Sequence, residues 1–320
     1  MFYAFAPHNP AVDARPQHAV QFPMPAAALR ALLEQAIDYA GLFPPAGLAL
    51  ETALQNFAAY LDSDESWMLG AFVLPLRQFS AAADLLPSLK LSRPLRVSAL
   101  APKDSDGSDL EKILGEMRHA IAGSARDGKM TVSQAEILWP KNGANDSLGA
   151  NAESLGNAGV KIFWEAPAVS AAETIASLAG HADGFKLRTG GLTADAFPSD
   201  ELIARALVAT ARHCVPIKFT AGLHHPVKNF HSSVQTKMPG FLNVLGAGVL
   251  ALEHRWDEAQ TAQMIAEEDA VAFAIDEENF RWRDWKIATA QIKTHRRFVT
   301  SLGSCSFDEP RDDLRALGLL

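Results

Sequence analysis

The sequence predicts an α/β fold in the form of a (β/α)8 TIM-barrel-like domain. A distorted or incomplete barrel is the alternative. Three observations predict the barrel fold. Short apolar runs alternate with amphipathic segments of helical length, which is typical of parallel strands joined by crossover helices. Charged residues and glycines follow several of the apolar runs, as they do at the active ends of such barrels. The chain has 320 residues, more than the roughly 250 that a barrel needs.

The apolar runs give six strands and a candidate seventh. The six lie at residues 67–74, 95–100, 131–138, 159–165, 184–188 and 215–220. The seventh lies at 298–304, and an eighth is expected within the first 50 residues or near 273–280. Apolar residues at helical spacing predict helices over 27–39, 50–61, 109–125, 170–179 and 199–213, and a short helix is expected after the Gly/Asn-rich stretch at 142–151.

The chain is expected to form one catalytic domain over residues 26–320, preceded by an irregular arm over residues 1–25. An extra helical segment precedes the barrel, and residues 241–297 are expected to form a mainly helical insertion packed by three tryptophans, Trp256, Trp282 and Trp285. An apolar loop at 38–45 is expected either to close the bottom of the barrel or to cover the site.

The composition argues against several classes of partner. The net charge of −8 disfavours nucleic acid, because phosphate binding needs a concentrated basic surface. No apolar run reaches the ~18–20 residues of a membrane span, so no membrane partner is expected. Two cysteines cannot form a disulfide framework, which favours a cytoplasmic location. A homo-oligomer would suit such a fold, but the sequence identifies no interface.

Charged side chains lie on three consecutive predicted strands, near their carboxyl ends. Because strand side chains alternate, Lys186 shares one face with Arg188, and Lys218 shares one with Thr220. Glu165 ends the strand before them. Strands covered on both faces are normally apolar, so these charges either form a structural ion-pair network or face a polar cavity. Their position favours an active site.

Two lysines and an arginine suggest a nucleophilic amine. Like charges disfavour protonation, so the clustered cations are expected to lower one another's pKa. A lysine with a pKa near 7 would offer a free amine that attacks a carbonyl and forms a Schiff base. The other cations would orient a small anionic carbonyl substrate, and Glu165 would move protons. This chemistry needs no cofactor.

Glycine-containing loops follow the same strands and are candidate anion-binding elements. Backbone amides in such loops can bind phosphate or carboxylate, although a glycine after a strand is usually part of a turn. The candidate substrate-binding residues of these strands and loops are Thr189, Gly190, Gly191, Thr220, Gly222, Gly303, Ser304 and Ser306.

A histidine-containing loop follows the second lysine strand. Adjacent histidines on an extended chain point opposite ways, so at most one of His224 and His225 is expected to face the site. His225 is the candidate acid or base, because histidine titrates near neutrality, and His224 is a candidate substrate contact. One alternative recruits either histidine, with His231 and Glu165 or Glu136, to bind Zn²⁺ or another divalent metal ion. Another is a structural role in capping backbone groups.

Residues 160–227 resemble the second half of the deoxyribose-phosphate aldolases, class I aldolases with a β/α-barrel fold. That family has a strand that ends in Glu, then Ala-Asp-Phe-Ile-Lys-Thr-Ser-Thr-Gly, a helix, and Gly-Phe-Lys-Pro-Ala-Gly-Gly. The similar segments here are IFWE at 162–165, ADGFKLRTG at 182–190 and IKFTAG at 217–222. A late Gly-Ala-Ser-Ser phosphate loop of the family is similar to GSCS at 303–306.

The resemblance implies Lys186 as the Schiff-base lysine and Lys218 as the neighbour that lowers its pKa. It also implies a phosphate site formed by the residues Gly190, Gly222, Gly303 and Ser304. The predicted function is therefore a lyase of the class I aldolase type, acting on a small phosphorylated or carboxylated carbonyl compound. The alternatives are a metal-dependent lyase or hydrolase that uses the histidine loop, and a non-catalytic protein that binds an anionic metabolite.

The sequence also departs from the family pattern. Arg188 replaces a small hydroxyl residue beside the reactive lysine, and His224, His225 and Pro226 replace the start of the family's Gly-Val-Arg-Thr. The first 60 residues and the segment 241–297 have no counterpart, and no proton-relay aspartate can be placed. These differences leave the substrate unassigned.

Overall fold

A closed barrel of eight parallel strands forms the centre of the protein. The computed structural model describes residues 24–102, 110–124, 128–140, 155–156 and 159–320. The barrel strands are β1 (Ile37–Tyr39), β2 (Leu69–Pro75), β3 (Leu95–Leu100), β4 (Met130–Leu138), β5 (Lys161–Glu165), β6 (Gly184–Arg188), β7 (Ile217–Thr220) and β13 (Val299–Ser304). Their order around the barrel is β1-β13-β7-β6-β5-β4-β3-β2, which confirms the predicted (β/α)8 architecture.

Helices connect the barrel strands and cover them. Those within the described ranges are α1 (Ala27–Leu33), α2 (Leu50–Leu61), α3 (Phe79–Leu85), α4 (Leu110–Ser124), α5 (Ala171–Ser177), α6 (Asp200–His213), α7 (Phe241–His254), α8 (Glu258–Ile265), α9 (Thr289–His295) and α10 (Asp308–Ala316). Ser199 caps α6 as predicted, accepting a hydrogen bond from Leu202 N at 3.4 Å, and Cys214 ends the helix with a left-handed φ of 55°.

The strand register brings the charged residues side by side. Glu165 pairs with Lys186, and Lys186 pairs with Lys218 on the next strand. Alternation directs the neighbours Phe185 and Leu187 to the opposite face, where both are fully buried. The barrel therefore has an apolar layer between sheet and helices, which supplies most of the hydrophobic stabilisation, and a polar interior.

The first strand lies where the sequence predicts the end of a helix. α1 ends at Leu33, and Glu34 already has φ −56° and ψ 119°. Gln35 follows with a left-handed φ of 50°, and its N–H donates to Trp67 O at 2.8 Å. The helix predicted over 27–39 is therefore too long, because apolar spacing does not report this break in the backbone. β1 is the eighth strand, at one of the two predicted positions.

Residues 241–297 contain three helices and also a small antiparallel sheet. The sheet consists of β10 (Phe273–Ile275), β11 (Asn279–Trp282) and β12 (Trp285–Ala288), and a second hairpin of β8 (Asn229–His231) and β9 (Thr236–Met238) follows β7. The ring of Trp256 packs edge-on against Trp282 and Trp285, with centroids 5.8 and 5.1 Å apart. The tryptophans therefore join the α7–α8 connection to the sheet.

Some predictions fall outside the described residues. They include residues 1–23 of the N-terminal arm and most of the short helix expected after the stretch at 142–151. Within the ranges that the structure describes, no helix is both long and apolar enough to cross a membrane.

Candidate active site

Five ionisable side chains from five strands pair with one another in the barrel interior, and we call them the buried charge cluster. Its members are Asp38 on β1, Glu136 on β4, Glu165 on β5, Lys186 on β6 and Lys218 on β7. All but Glu165 are at most 3% exposed. Buried charges are costly unless they are paired, and each member contacts at least one member of opposite charge.

Lys218 is the more enclosed of the two lysines. Its Nζ lies 2.8 Å from Asp38 Oδ2 and 2.7 Å from Glu136 Oε1. It also lies 2.8 Å from Gln134 Oε1 and 3.4 Å from Ser98 Oγ. An ammonium has three N–H donors, so these acceptors occupy all of them. Burial acts to lower the pKa of Lys218, but the attraction of the two carboxylates outweighs it and raises the pKa.

Lys186 has fewer partners and lies nearer the carboxyl end of the barrel, which we call the mouth. Its acceptors among the described residues are Glu136 Oε2 at 2.5 Å and Glu165 Oε2 at 2.8 Å, which leaves one of three donors. Glu165 is the last residue of β5, and its side chain is 13% exposed against 4% for Lys186. Burial acts to lower the pKa of Lys186, but the two carboxylates overcome this and raise it.

Glu136 joins the two lysines, one through each carboxylate oxygen. Its Oε1 also accepts a hydrogen bond from Ser98 Oγ at 2.7 Å. Burial acts to raise the pKa of Glu136, but the two ammonium groups hold the pKa well below its usual range. Glu136 is therefore ionised and couples the electrostatic environment of Lys186 to that of Lys218.

The expected mutual lowering of the lysine pKa values is wrong, as is the lowering that the aldolase resemblance implies. Lys186 and Lys218 are neighbours, but the Glu136 carboxylate lies between their ammonium groups, and the pKa of each lysine is raised. The expectation counted the cations on β6 and β7 and omitted the acids that other strands contribute. In the resting state both lysines are protonated.

Asp38 is a site residue that the sequence did not reveal. Its Oδ1 accepts a hydrogen bond from Ala71 N at 2.7 Å, and its Oδ2 accepts one from Ser301 Oγ at 2.8 Å. A Cβ on Gly70 would lie 2.3 Å from Asp38 Oδ1, so a glycine at position 70 makes room for the carboxylate. The sequence signal for it is a single acid between two apolar residues, Ile37 and Tyr39. The helix predicted over 27–39 hides this signal.

Three neutral polar residues complete the surroundings of the cluster and were also missed. Ser98, Gln134 and Ser301 are 0%, 8% and 2% exposed, and they lie on β3, β4 and β13. Glu136, two residues after Gln134, enters the sequence interpretation only as a candidate metal ligand. Polar residues two apart on an otherwise apolar strand share one face, and this alternation is the signal that could have identified them.

The glycine loops pack against each other at the mouth. Thr189 Oγ1 donates to Ala221 O at 2.6 Å, and a Cβ on Gly190 would lie 2.7 Å from Gly222 Cα. Gly222 has a φ of +77°, which glycine adopts without strain. The close approach of two backbones is thus a sufficient reason for these glycines, and their contact with a substrate stays a prediction.

Arg188 lies at the mouth and outside the buried charge cluster. It is exposed, and its Nε donates to Gly190 O at 3.0 Å. Thr220 pairs with Arg188 across the strands, and a Cβ on Gly303 would lie 3.3 Å from Thr220 Oγ1. A Cβ on Gly191 would lie 2.6 Å from the Cβ of Ala196 in the following turn. These residues therefore lie together at the carboxyl ends of neighbouring strands, and their contact with a substrate stays a prediction.

The loop after β1 also lies on the mouth side. Ala40 N donates to Ser304 O at 2.7 Å, which attaches the apolar loop at 38–45 to the end of β13. Ser304 is buried, and its Oγ accepts from Ser306 N at 3.4 Å, while Ser306 Oγ accepts from Glu309 N at 3.1 Å. The loop therefore lies at the mouth end of the barrel and not at its bottom.

The histidine loop is attached to α10. His224 Nδ1 lies 3.1 Å from Glu309 Oε2, and His225 Nδ1 lies 2.6 Å from Asp313 Oδ2. The hydrogen bond with His224 lowers the pKa of Glu309. The His231 ring stacks on His225 with centroids 5.6 Å apart. Among the described residues, no hydrogen bond or ion pair joins either of the first two histidines to the buried charge cluster.

The donor set for a divalent metal is not assembled in the described parts of the chain. No group of three or more His, Cys, Asp or Glu side chains there is arranged to hold a metal ion. The carboxylates of the metal alternative, Glu136 and Glu165, contact Lys186 instead. The residues present therefore do not fit the metal site that this alternative requires.

Comparisons with known proteins give a structural similarity alone. Neither a family model nor a curated protein sequence matches the chain. The chain is similar to a solved structure described as the unique tetrameric structure of deoxyribose phosphate aldolase from Aeropyrum pernix, with a TM-score of 0.45 and 11% identity. The similarity covers 91% of this chain and 97% of that chain. It carries no argument about the reaction, and the fold assignment rests on the strand topology.

Proposed function

We propose that the protein is a carbon–carbon lyase of the class I aldolase type, in which Lys186 forms a Schiff base with a small carbonyl compound. The observation that supports it is the contrast between the two lysines. Lys218 has all its donors occupied deep in the barrel, whereas Lys186 retains one donor and lies beside the partly exposed Glu165. A substrate that enters from the mouth would reach Lys186 first.

A proton transfer must precede the attack, because the resting amine is protonated. Glu165 Oε2, 2.8 Å from Lys186 Nζ, is within the range for direct transfer. Glu136 is less suited as the acceptor, since two ammonium groups stabilise its ionised form. Transfer to Glu165 leaves a neutral amine and a neutral acid, so the total charge of the cluster does not change.

The following steps use the same pair of residues. The amine attacks the carbonyl carbon, and Glu165 returns its proton to the departing hydroxyl, so that water leaves as the imine forms. Glu165, now ionised, takes the proton of the substrate's β-hydroxyl as the carbon–carbon bond breaks; the electron pair moves into the protonated imine, which becomes an enamine, and a carbonyl product leaves. Glu165 then returns this proton to the enamine carbon, and hydrolysis of the resulting imine releases the second product and restores Lys186.

The remaining cations have supporting roles in this proposal. Lys218 holds Asp38 and Glu136 ionised and in place, and it does not attack the substrate. Arg188, exposed at the mouth, is positioned to bind a phosphate or carboxylate group of the substrate by a charge-assisted hydrogen bond. The substrate class is therefore a small anionic carbonyl compound.

The raised pKa of Lys186 favours a second candidate, an acid–base enzyme without a covalent intermediate. In it, Lys186 stays protonated and polarises the substrate carbonyl. Glu165 then removes a proton from the neighbouring carbon. The two candidates share the residues and differ in whether a bond to nitrogen forms.

Borohydride reduction with a panel of sugar phosphates, aldehydes and keto acids distinguishes the candidates. The first predicts a mass increase equal to the reduced adduct. Lys186→Arg keeps the charge and removes the nucleophile, so it should form no adduct, while the exposed control Lys90→Arg should behave as the wild type. Turnover without an adduct would replace the first candidate with the second. A rise in melting temperature without turnover would favour the binding-protein alternative.

A further inference from the structure

A cavity of about 340 Å³ opens at the amino-terminal end of the barrel, opposite the mouth. This volume is within the range of small-molecule pockets. Its wall includes Arg96 near the start of β3, Ser301 near the start of β13, and Gln134 in the middle of β4. Lys293 of α9 and Arg296 just after it complete the cationic part of the wall.

The charges around the cavity are predominantly positive. Three cations, Arg96, Lys293 and Arg296, face one carboxylate, Glu34. Among the described residues, none of the three cations forms an ion pair. Arg296 donates to three main-chain carbonyls, and Arg96 donates to neutral side chains. The cavity therefore has an excess of positive charge that its own walls do not neutralise, which attracts anions.

Two donors beside the cavity have no acceptor among the described residues, and the one on Arg296 is buried. Gln134 is 8% exposed, and its Oε1 is fixed by Lys218 Nζ at 2.8 Å. Its Nε2 makes no hydrogen bond within the described ranges, and it lies on the side chain that lines the cavity. The Nε of Arg296 is buried without a partner, and burial lowers the pKa of Arg296 to about 10. Buried donors are normally satisfied.

We propose that this cavity binds a small oxyanion, a carboxylate or a phosphate. The anion accepts hydrogen bonds from Gln134 Nε2 and Arg296, and Arg96 and Lys293 supply the opposing charge. An oxyanion fits because it offers several acceptor oxygens and a negative charge to a wall that contains three cations and one carboxylate. Arginine provides the planar donor geometry that such groups bind.

The proposed site adjoins the buried charge cluster on the amino-terminal side of the barrel. Gln134 contacts Lys218, and Ser301 contacts Asp38, so two residues separate the cavity from the inner part of the cluster. An anion bound there brings negative charge towards Lys218 and stabilises its protonated form. The site is distinct from the proposed substrate site at the mouth, and its ligand is a second molecule.

Titration of the full chain with inorganic phosphate and with malonate tests the proposal. Potassium chloride keeps the ionic strength constant, and binding is followed by calorimetry and by the melting temperature. Saturable binding of at least one of the two anions is expected, and their relative affinity identifies phosphate or carboxylate as the preferred group. Lys293→Met should weaken that binding about tenfold, by loss of one charge-assisted contact. The control Lys286→Met, an exposed lysine on β12, changes the net charge equally and should bind as the wild type.

Arg96→Met provides a second variant with the same expected loss, and the melting temperature of each variant without anion shows whether it folds. A response that never saturates, that chloride reproduces, or that both cavity variants share with the wild type would overturn the proposal. Binding is measured without turnover, so its failure would leave the proposed lyase activity untouched, and the absence of a Schiff base would leave this site untouched.

Discussion

The inner and outer parts of the buried charge cluster contain the same residue type in different surroundings. Lys218, in the inner part, is held by two carboxylates, an amide and a hydroxyl. Lys186, in the outer part, is held by two carboxylates, of which Glu165 lies at the strand end. The comparison teaches that the number of partners, more than the position on the strand, separates a structural lysine from a candidate nucleophile.

Removal of the inner lysine should have the largest effect on stability. Lys218→Met leaves Asp38 without its cation at 0% exposure, which should lower the free energy of unfolding by about 3–5 kcal/mol. Lys186→Met leaves Glu136 paired with Lys218 and leaves Glu165 partly exposed, so a loss of roughly 1–3 kcal/mol is expected. Urea denaturation measures both, and equal losses would contradict the distinction between the two parts.

Glu165→Gln should separate activity from stability. If Glu165 moves the proton, turnover of a substrate found in the trapping screen should fall roughly 10²–10⁴-fold. The free energy of unfolding should change by about 1 kcal/mol or less, because the side chain is partly exposed. Glu173→Gln, an exposed acid on α5, is the matched control for the charge change. Unchanged turnover in Glu165→Gln would assign the proton transfer to another group.

The stabilising contribution of the buried charge cluster should be lost at both low and high pH. The pKa of Glu136 is lowered in the folded state, so its contribution is fully present above the unfolded value of about 4.3 and is lost as the pH falls below it. The pKa values of Lys186 and Lys218 are raised, so their contribution is present below about 10.4 and is lost at higher pH.

Glu136→Gln should therefore flatten the acid side of the stability profile and lower the free energy of unfolding at neutral pH by roughly 1–3 kcal/mol. Urea denaturation at a series of pH values from 3 to 7 measures this. Acid slopes that match between the variant and the wild type would show that other carboxylates control the acid sensitivity.

The histidine loop should show the smallest effect. His225 and Asp313 are both partly exposed, so His225→Ala should cost about 0.2–1 kcal/mol. A double-mutant cycle with Asp313→Ala isolates the pair. A cost as large as that of Lys218→Met would mean that the attachment of this loop to α10 is as important to folding as the buried charges.

The fold and three of the five members of the cluster could be predicted from local patterns. Alternation of strands and helices predicts a barrel, and charges in apolar strands identify Lys186, Lys218 and Glu165. Asp38 could not be found in this way, because its strand has three residues and follows a helix with apolar spacing. Its partner Ser301 is 263 residues away, and only closure of the barrel brings the two together.

The direction of the lysine pKa shifts could not be predicted for the same reason. The acids that raise the pKa of Lys218 come from β1 and β4, strands that do not neighbour β7 in the barrel. Their side chains contact Lys218 across the barrel interior. The sequence pattern along one strand does not show how far the side chains of other strands lie from it. The alternation of side chains along a strand thus indicates which residues face inwards. Closure of the barrel determines which of these residues pair.

The position of a borohydride-reduced adduct tests the central claim most directly. A carbonyl compound that the wild-type protein turns over is reduced onto the enzyme, and the modified lysine is located by peptide mass spectrometry. The contrast between the two lysines predicts an adduct on Lys186 and none on Lys218. An adduct on Lys218 would contradict it, because a lysine with every donor occupied by buried acceptors would then be the nucleophile.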